Sequence, residues 1–211
     1  LTEKQLAFLK TVTPPALETE RGYGIPAAVT IAQAILESAG RVAGHWEWGA
    51  SPLFRLANNP FGIKYSDTSP DAVYGEHDVA THEFISNHEQ IVVAGFQHFP
   101  SLTEAFRQHA LLLLRPRYAA AWRHRNDPRA YAICLGPRTA DNPDGCGYAT
   151  DPDYGRKLVA LIDRCDLTRA AELYGASQAG PQQPAHAEAE ADLSAVPPQP
   201  APASAPPGGQ S

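Results

Sequence analysis

Apolar residues recur along this chain with a helical period at both ends and a strand period in the middle. Over residues 3–19, Leu6, Leu9 and Val12 share one side, which predicts a helix. "TPP" at 13–15 is expected to bend or end it, because proline brings no N–H and its ring crowds the preceding turn. "YGIP" at 23–26 interrupts the pattern, and Pro26 suits a first helical turn. A second helix is predicted over 26–39. There Ala28, Ile31, Ala32, Ile35 and Ala39 form a stripe at i, i+3, i+4 and i+7 spacing, with Gly40 as the stop. Thr30, Gln33 and Glu37 fall on the other side.

The middle section, "AVYGEHDVATHEFISNHEQIVVAGFQHF", alternates and is rich in Val, Ile, Phe and Thr. With "SNHE" at its waist it predicts a hairpin. Helical patterns then return. "SLTEAFRQHALLLL" opens with Ser101 and Glu104 at capping-box spacing, and "DPRAYAICL" and "DPDYGRKLVALIDRC" each open on Asp-Pro. Helices around one short β excursion predict an α+β domain, mainly α, with a small β-hairpin lobe.

Composition changes the picture at the C-terminal end. From about residue 176 the chain is Pro, Ala, Gln and Ser with little to bury, and such a segment does not offset its ordering entropy. One domain is therefore expected over 1–172, with 173–211 a Pro/Ala-rich disordered linker or tail. The chain is 43% hydrophobic over 211 residues, enough for one sizeable core. Its formal charge of −6, with acids and bases mixed, argues against a duplex nucleic-acid partner. No apolar run approaches the roughly 18 residues of a membrane span. The sequence contains no Met and no visible signal, so it reads as a fragment or processed form.

Cys134, Cys146 and Cys165 lack C-x-x-C spacing. The first two flank "CLGPRTADNPDGC", and both a disulfide closing that loop and three separate thiols fit the sequence. The eight His show no ligand spacing, and "HEFISNH" misses the zinc-protease pattern because Ser86 stands where the second His is needed. No metal and no cofactor is expected.

Glu37 is the candidate for chemistry. The plain alternative is a solvent-facing acid. An acid in a last helical turn, however, meets the partial negative charge of the helix C-terminus and has no Lys four residues away. The same field favours the protonated form, which a general acid requires.

"GIPAAVTIAQAILES", "NNPFGIKY", "THEF", "RYAAA" and "GYATDPDYGRKLVALI" occur in an order that resembles the peptidoglycan β-N-acetylglucosaminidases of glycoside hydrolase family 73, over roughly residues 20–165. The resemblance implies a lysozyme-like helical body with a small β-hairpin lobe flanking a cleft. It implies that Glu37 is the catalytic acid and that Glu83 is the second carboxylate, with Asp67, Asp71, Glu76, Asp78 and Glu89 as fallbacks. It places Tyr148 and Tyr154 near the sugar and makes Asn59 either a ligand to sugar hydroxyls or the brace of a turn. Trp48, with Trp46, is a candidate for stacking on a sugar face, whereas Phe61, Tyr118 and Trp122 are read as packing. Implied partners are peptidoglycan glycan strands and, in a longer protein, a wall-binding or flagellar component. The implied location is secreted, periplasmic or wall-associated.

The chain departs from the family pattern in three places. "ESAGRVAGHWEWGAS" inserts several residues before Trp48-Gly49 and brings a rival acid, Glu47. A second insertion spans about 134–146, and "NNP" stands for the commoner Asn-Asn-Leu. A lytic transglycosylase or muramidase on the same fold, or a glycan-binding module without turnover, are the alternative readings.

Overall fold

Thr2 opens the first helix with a capping box: its hydroxyl accepts from the Gln5 N–H and the Gln5 side chain accepts from the Thr2 N–H. The computed structural model describes residues 1–65, 76–85 and 88–175, with 76–94 by their backbone. Helix α1 runs over Glu3–Tyr23, straight through Pro14 and Pro15, where the sequence suggested a bend or an end. The two prolines withdraw N–H donors from the carbonyls of Lys10 and Thr11, both exposed residues whose carbonyls water can serve. Buried Leu9, Val12, Pro15 and Ala16 hold both halves on one core. Gly24 ends the helix at φ 69°, and a Cβ there would lie 2.9 Å from the Trp122 ring.

Helix α2 (Ala27–Glu37) is the centre of the molecule. Every residue from Ala27 to Ile35 is buried, because α1, α6 (Pro128–Leu135), α7 (Tyr154–Arg164) and the 3₁₀ turn Leu167–Arg169 all pack on it. The polar strip is therefore buried with the apolar one: Thr30 bonds the Pro26 carbonyl and Gln33 reaches Tyr154.

The insertion after Ser38 folds into a hairpin that the sequence pattern did not announce. Strands β1 (Gly40–Val42) and β2 (His45–Glu47) pair antiparallel across Ala43 and Gly44, both with positive φ, as a two-residue primed turn demands. Both ends of the insertion are tied to one residue. The Gly49 N–H donates to the Ser38 hydroxyl and the Ser51 N–H to the Ser38 carbonyl. Ser51 then caps the short helix α3 (Pro52–Ala57).

The expected hairpin is present as β3 (Glu76–Ile85) and β4 (His88–Gln97), paired in register from Glu76 opposite Gln97 to Ile85 opposite His88. Ser86 and Asn87 lie outside the described residues. The ribbon joins the body at its open end, where Tyr65 N–H donates to the Gly95 carbonyl and Gln97 N–H to the Ile63 carbonyl.

Ser101 caps α4 (Leu102–Leu113) through the Glu104 N–H, while the Glu104 carboxylate receives Arg107. A 3₁₀ turn (Pro116–Tyr118) and α5 (Ala119–Trp122) lead to α6, which Asp127 caps with Pro128 in its first turn. The second Asp-Pro stands one turn earlier than expected: Asp151 holds a tight turn by accepting from the Asp153 N–H, and α7 starts at Tyr154. Helices α6 and α7 meet closely at Gly155, where a Cβ would lie 2.8 Å from the Ile133 Cα. The chain packs through α8 (Ala170–Tyr174), whose Tyr174 hydroxyl donates to the Cys165 carbonyl. The remainder of the expected tail, 176–211, lies outside the described residues.

Candidate active site

The three turns of α2 that precede its C-terminus carry Gln33 and Glu37 one turn apart, on the strip that faces the start of α7. Tyr154, the first residue of α7, reaches between them. Its hydroxyl donates to Glu37 Oε1 at 2.7 Å, and Gln33 Nε2 donates to the same hydroxyl at 3.1 Å. Tyr154 is held there by the close α6–α7 contact at Gly155.

Glu37 is open to solvent on one side and packed against protein on the others. Desolvation raises its pKa above the ordinary carboxyl value, and the Tyr154 hydrogen bond opposes that shift in part. No cation contributes to that balance among the described residues. The acid is therefore biased toward its protonated form, as its place at a helix C-terminus also favours.

Tyr148 stacks on Tyr154 with ring centroids 5.6 Å apart and planes at 20°. Behind it, His109 meets Tyr148 edge-on at 5.9 Å and stacks on Phe61 at 3.8 Å. His109 is fully buried, neither ring nitrogen has a partner among the described residues, and burial pushes its pKa down to about 3. It is a neutral packing element. The loop carrying Tyr148 is pinned by Arg117, whose guanidinium donates to the carbonyls of Cys146 and Gly147. The same loop is stitched to α6 by main-chain bonds, Cys146 N–H to the Cys134 carbonyl at 2.7 Å and Tyr148 N–H to the Leu135 carbonyl at 2.9 Å. Cys134, Cys146 and Cys165 are free thiols.

Of the residues singled out in the sequence, the structure brings Glu37, Tyr154 and Tyr148 together. Asn59 lies elsewhere: it is buried, its amide donates to the carbonyls of Ile63 and Gln97, and its oxygen accepts from the Ile63 N–H. It braces the loop that anchors the ribbon. Trp48 packs edge-on against Phe8 and under the Arg164 guanidinium. With Ile35, Leu36, Trp46, Lys157 and Leu161 it lines a groove along the other strip of α2, whose lining does not include Glu37. Glu47 is ion-paired with Lys4 at 2.9 Å. Glu83 sits in β3 opposite Gln90; Glu76 and Asp78 share its strand, and Glu89 lies in β4. Asp67 and Asp71 lie outside the described residues. Phe61 and Tyr118 are buried in the core. Gln33 was not singled out as functional; its i, i+4 relation to Glu37 was the available signal. Among the described residues there is no cluster of three metal-ligating side chains and no helix long and apolar enough to cross a membrane.

Comparison with known proteins gives one family. Residues 13–167 match the family model described as mannosyl-glycoprotein endo-beta-N-acetylglucosaminidase. The exo-glucosaminidase LytG of Bacillus subtilis is 29% identical over 78% of this chain and 53% of its own. A probable N-acetylmuramidase of Lactococcus lactis is 31% identical over 85% of this chain and 37% of its own. The chain thus spans about half or less of the length of these relatives. Among solved structures, the catalytic domain of the autolysin Auto from Listeria monocytogenes superposes with a TM-score of 0.65 at 27% identity, covering 81% of this chain and 89% of that one.

Proposed function

This chain belongs to the glucosaminidase family of glycoside hydrolases, family 73, and on that premise we propose that it hydrolyses the β-1,4 bond after N-acetylglucosamine in peptidoglycan glycan strands. The observation that carries the reading is the carboxyl of Glu37, open to solvent, desolvated and held by the Tyr154 hydroxyl at 2.7 Å.

In this reading Glu37 delivers its proton to the glycosidic oxygen as the C1–O bond breaks and the electron pair leaves with that oxygen. The sugar ring passes through an oxocarbenium-like state. Glu37 becomes a carboxylate, which the Tyr154 O–H stabilises by donating to it. Glu83, on the ribbon, is the second carboxylate. It assists water on the other face of the sugar, while the substrate's own N-acetyl group is the alternative source of that assistance. Tyr148, stacked on Tyr154, presents its ring edge and hydroxyl to the acetamido sugar. The enzyme requires no cofactor for these steps. Such a substrate places the protein in the periplasm, at the wall or outside the cell, and in a longer chain a wall-binding or flagellar component is the partner the reading implies.

The relatives' names differ on the bond, one a glucosaminidase and one a muramidase. Digestion of purified peptidoglycan, followed by borohydride reduction and mass spectrometry, separates them. New reducing N-acetylglucosamine ends with wild type and none with Glu37→Gln is the expected result. New muramic acid ends would support the muramidase reading, anhydromuramic ends a lytic transglycosylase, and binding without cleavage a glycan-binding module.

A further inference from the structure

The polar strip of α2 carries a buried amide, Gln33, one turn before Glu37. Gln33 has no exposed surface, its amide nitrogen contacts the Tyr154 hydroxyl, and its amide oxygen has no partner among the described residues. We propose that Gln33 is a positioning residue: it fixes the direction of the Gln33–Tyr154–Glu37 hydrogen-bond chain and so keeps the acidic proton of Glu37 on Oε2, the oxygen that Tyr154 does not touch. The inference rests on the reading of Glu37 as the acid.

A phenol has one hydrogen to give. With Gln33 Nε2 as donor to the phenol oxygen, that hydrogen points at Glu37 Oε1. An Oε1 that receives a hydrogen bond does not also carry the carboxyl proton toward the same neighbour, so the proton resides on Oε2. The reverse chain would have Glu37 donate from Oε1 to the phenol and the phenol donate to a flipped Gln33 oxygen. The acid's proton would then point into the protein, away from any leaving group.

The amide of Gln33 sets the direction: its nitrogen, not its oxygen, faces the phenol. With the amide flipped, the phenol would face an oxygen and donate to it, and its one hydrogen would no longer be available to Glu37 Oε1. Residues 33 and 37 on α2 and residue 154 at the start of α7 carry the three members of the chain. Once Glu37 has given up its proton, the same direction serves the carboxylate: the amide polarises the phenol, and a polarised phenol is the stronger donor.

The direct test is a titration of the Glu37 side chain by carboxyl carbon NMR, on the full chain, in wild type, Gln33→Met, Tyr154→Phe and the double variant. Gln33→Met keeps the volume and removes the donor. It is expected to raise the Glu37 pKa by roughly 0.3–1 unit, to move the basic limb of the kcat–pH profile up with it, and to lower kcat with little change in KM. In the Tyr154→Phe background the same substitution is expected to do nothing further. An unchanged Glu37 pKa in Gln33→Met, or the same shift with and without the tyrosine hydroxyl, would overturn the inference. Gln33→Leu gives the same readout should the Met variant not fold. The titration is independent of turnover. If Glu37→Gln still hydrolyses peptidoglycan, the acid assignment fails on its own, and the direction of the chain is still read from the NMR.

Discussion

The helical body and the β3–β4 ribbon hold their acids in opposite ways. Glu37 ends a helix that is buried along most of its length, and its carboxyl is gripped by a tyrosine from a second helix. Glu83 stands in a ladder whose strands pair mainly with each other and join the body at the Glu76–Gln97 end. In the proposed mechanism the body fixes a proton's position, and the ribbon leaves Glu83 to be placed by the relation of one lobe to the other. An acid whose protonation state matters needs a constant environment, whereas a group that meets a polymer from above has to admit that polymer first.

The largest expected effect is on turnover and separates the two acids. Glu37→Gln is expected to lower kcat about 10³–10⁴-fold, and Glu83→Gln about 10²-fold, both read from reducing-end release under saturating peptidoglycan. Equal losses would mean that the ribbon acid is as tightly placed as the helical one. Next comes the α6–α7 contact that seats Tyr154. Gly155→Ala puts a methyl 2.8 Å from the Ile133 Cα, and denaturant unfolding should show a loss of about 1–3 kcal/mol. An unchanged midpoint would mean that the helices separate without strain.

A third prediction concerns pH. His109 titrates near 6.5 when unfolded and near 3 in the body, because burial disfavours its charged form. Between those values the unfolded chain binds more protons, so stability falls as pH falls, by about 1.4 kcal/mol per unit for this one group. His109→Leu should flatten that slope, read from unfolding midpoints at pH 6.5, 5.5 and 4.5. A slope identical to wild type would assign acid sensitivity to other groups. The smallest effect belongs to the β1–β2 hairpin. Trp46 is 69% exposed, and Trp46→Ala should change stability by no more than about 0.5 kcal/mol. A larger loss would show that the hairpin supports the body.

The parts of this fold that were legible in the sequence are those with a long period or a strong punctuation mark. The α2 stripe, the paired strands of the ribbon, the Ser101 cap and the Asp127-Pro128 start all have one dominant local signal. The run through Pro14 and Pro15 was not legible, because what keeps α1 intact is tertiary: a buried apolar face on both sides of a solvent-facing gap. The β1–β2 hairpin was hidden for a different reason. Its strands are three residues each, and its turn is Ala-Gly rather than Asn-Gly. At the candidate site, Glu37 was marked by being an acid at the wrong helix end. Tyr148 and Tyr154 came through the family pattern, and the structure adds what pattern alone lacks, the direction in which Tyr154 points. Asn59 had two readings, and its three bonds to loop backbone are those of a brace. Gln33 was silent, because a neutral amide on a polar strip looks like any other until its neighbour is known.

Ser38 stitches together both ends of the segment that carries the β1–β2 hairpin, with its hydroxyl at Gly49 and its carbonyl at Ser51. The tip between those stitches, residues 41–46, is exposed to solvent. Its length can drift at an entropic cost that grows only logarithmically, while the helix end bearing Glu37 stays where it is. A single serine thus uncouples the length of this rim from the placement of Glu37.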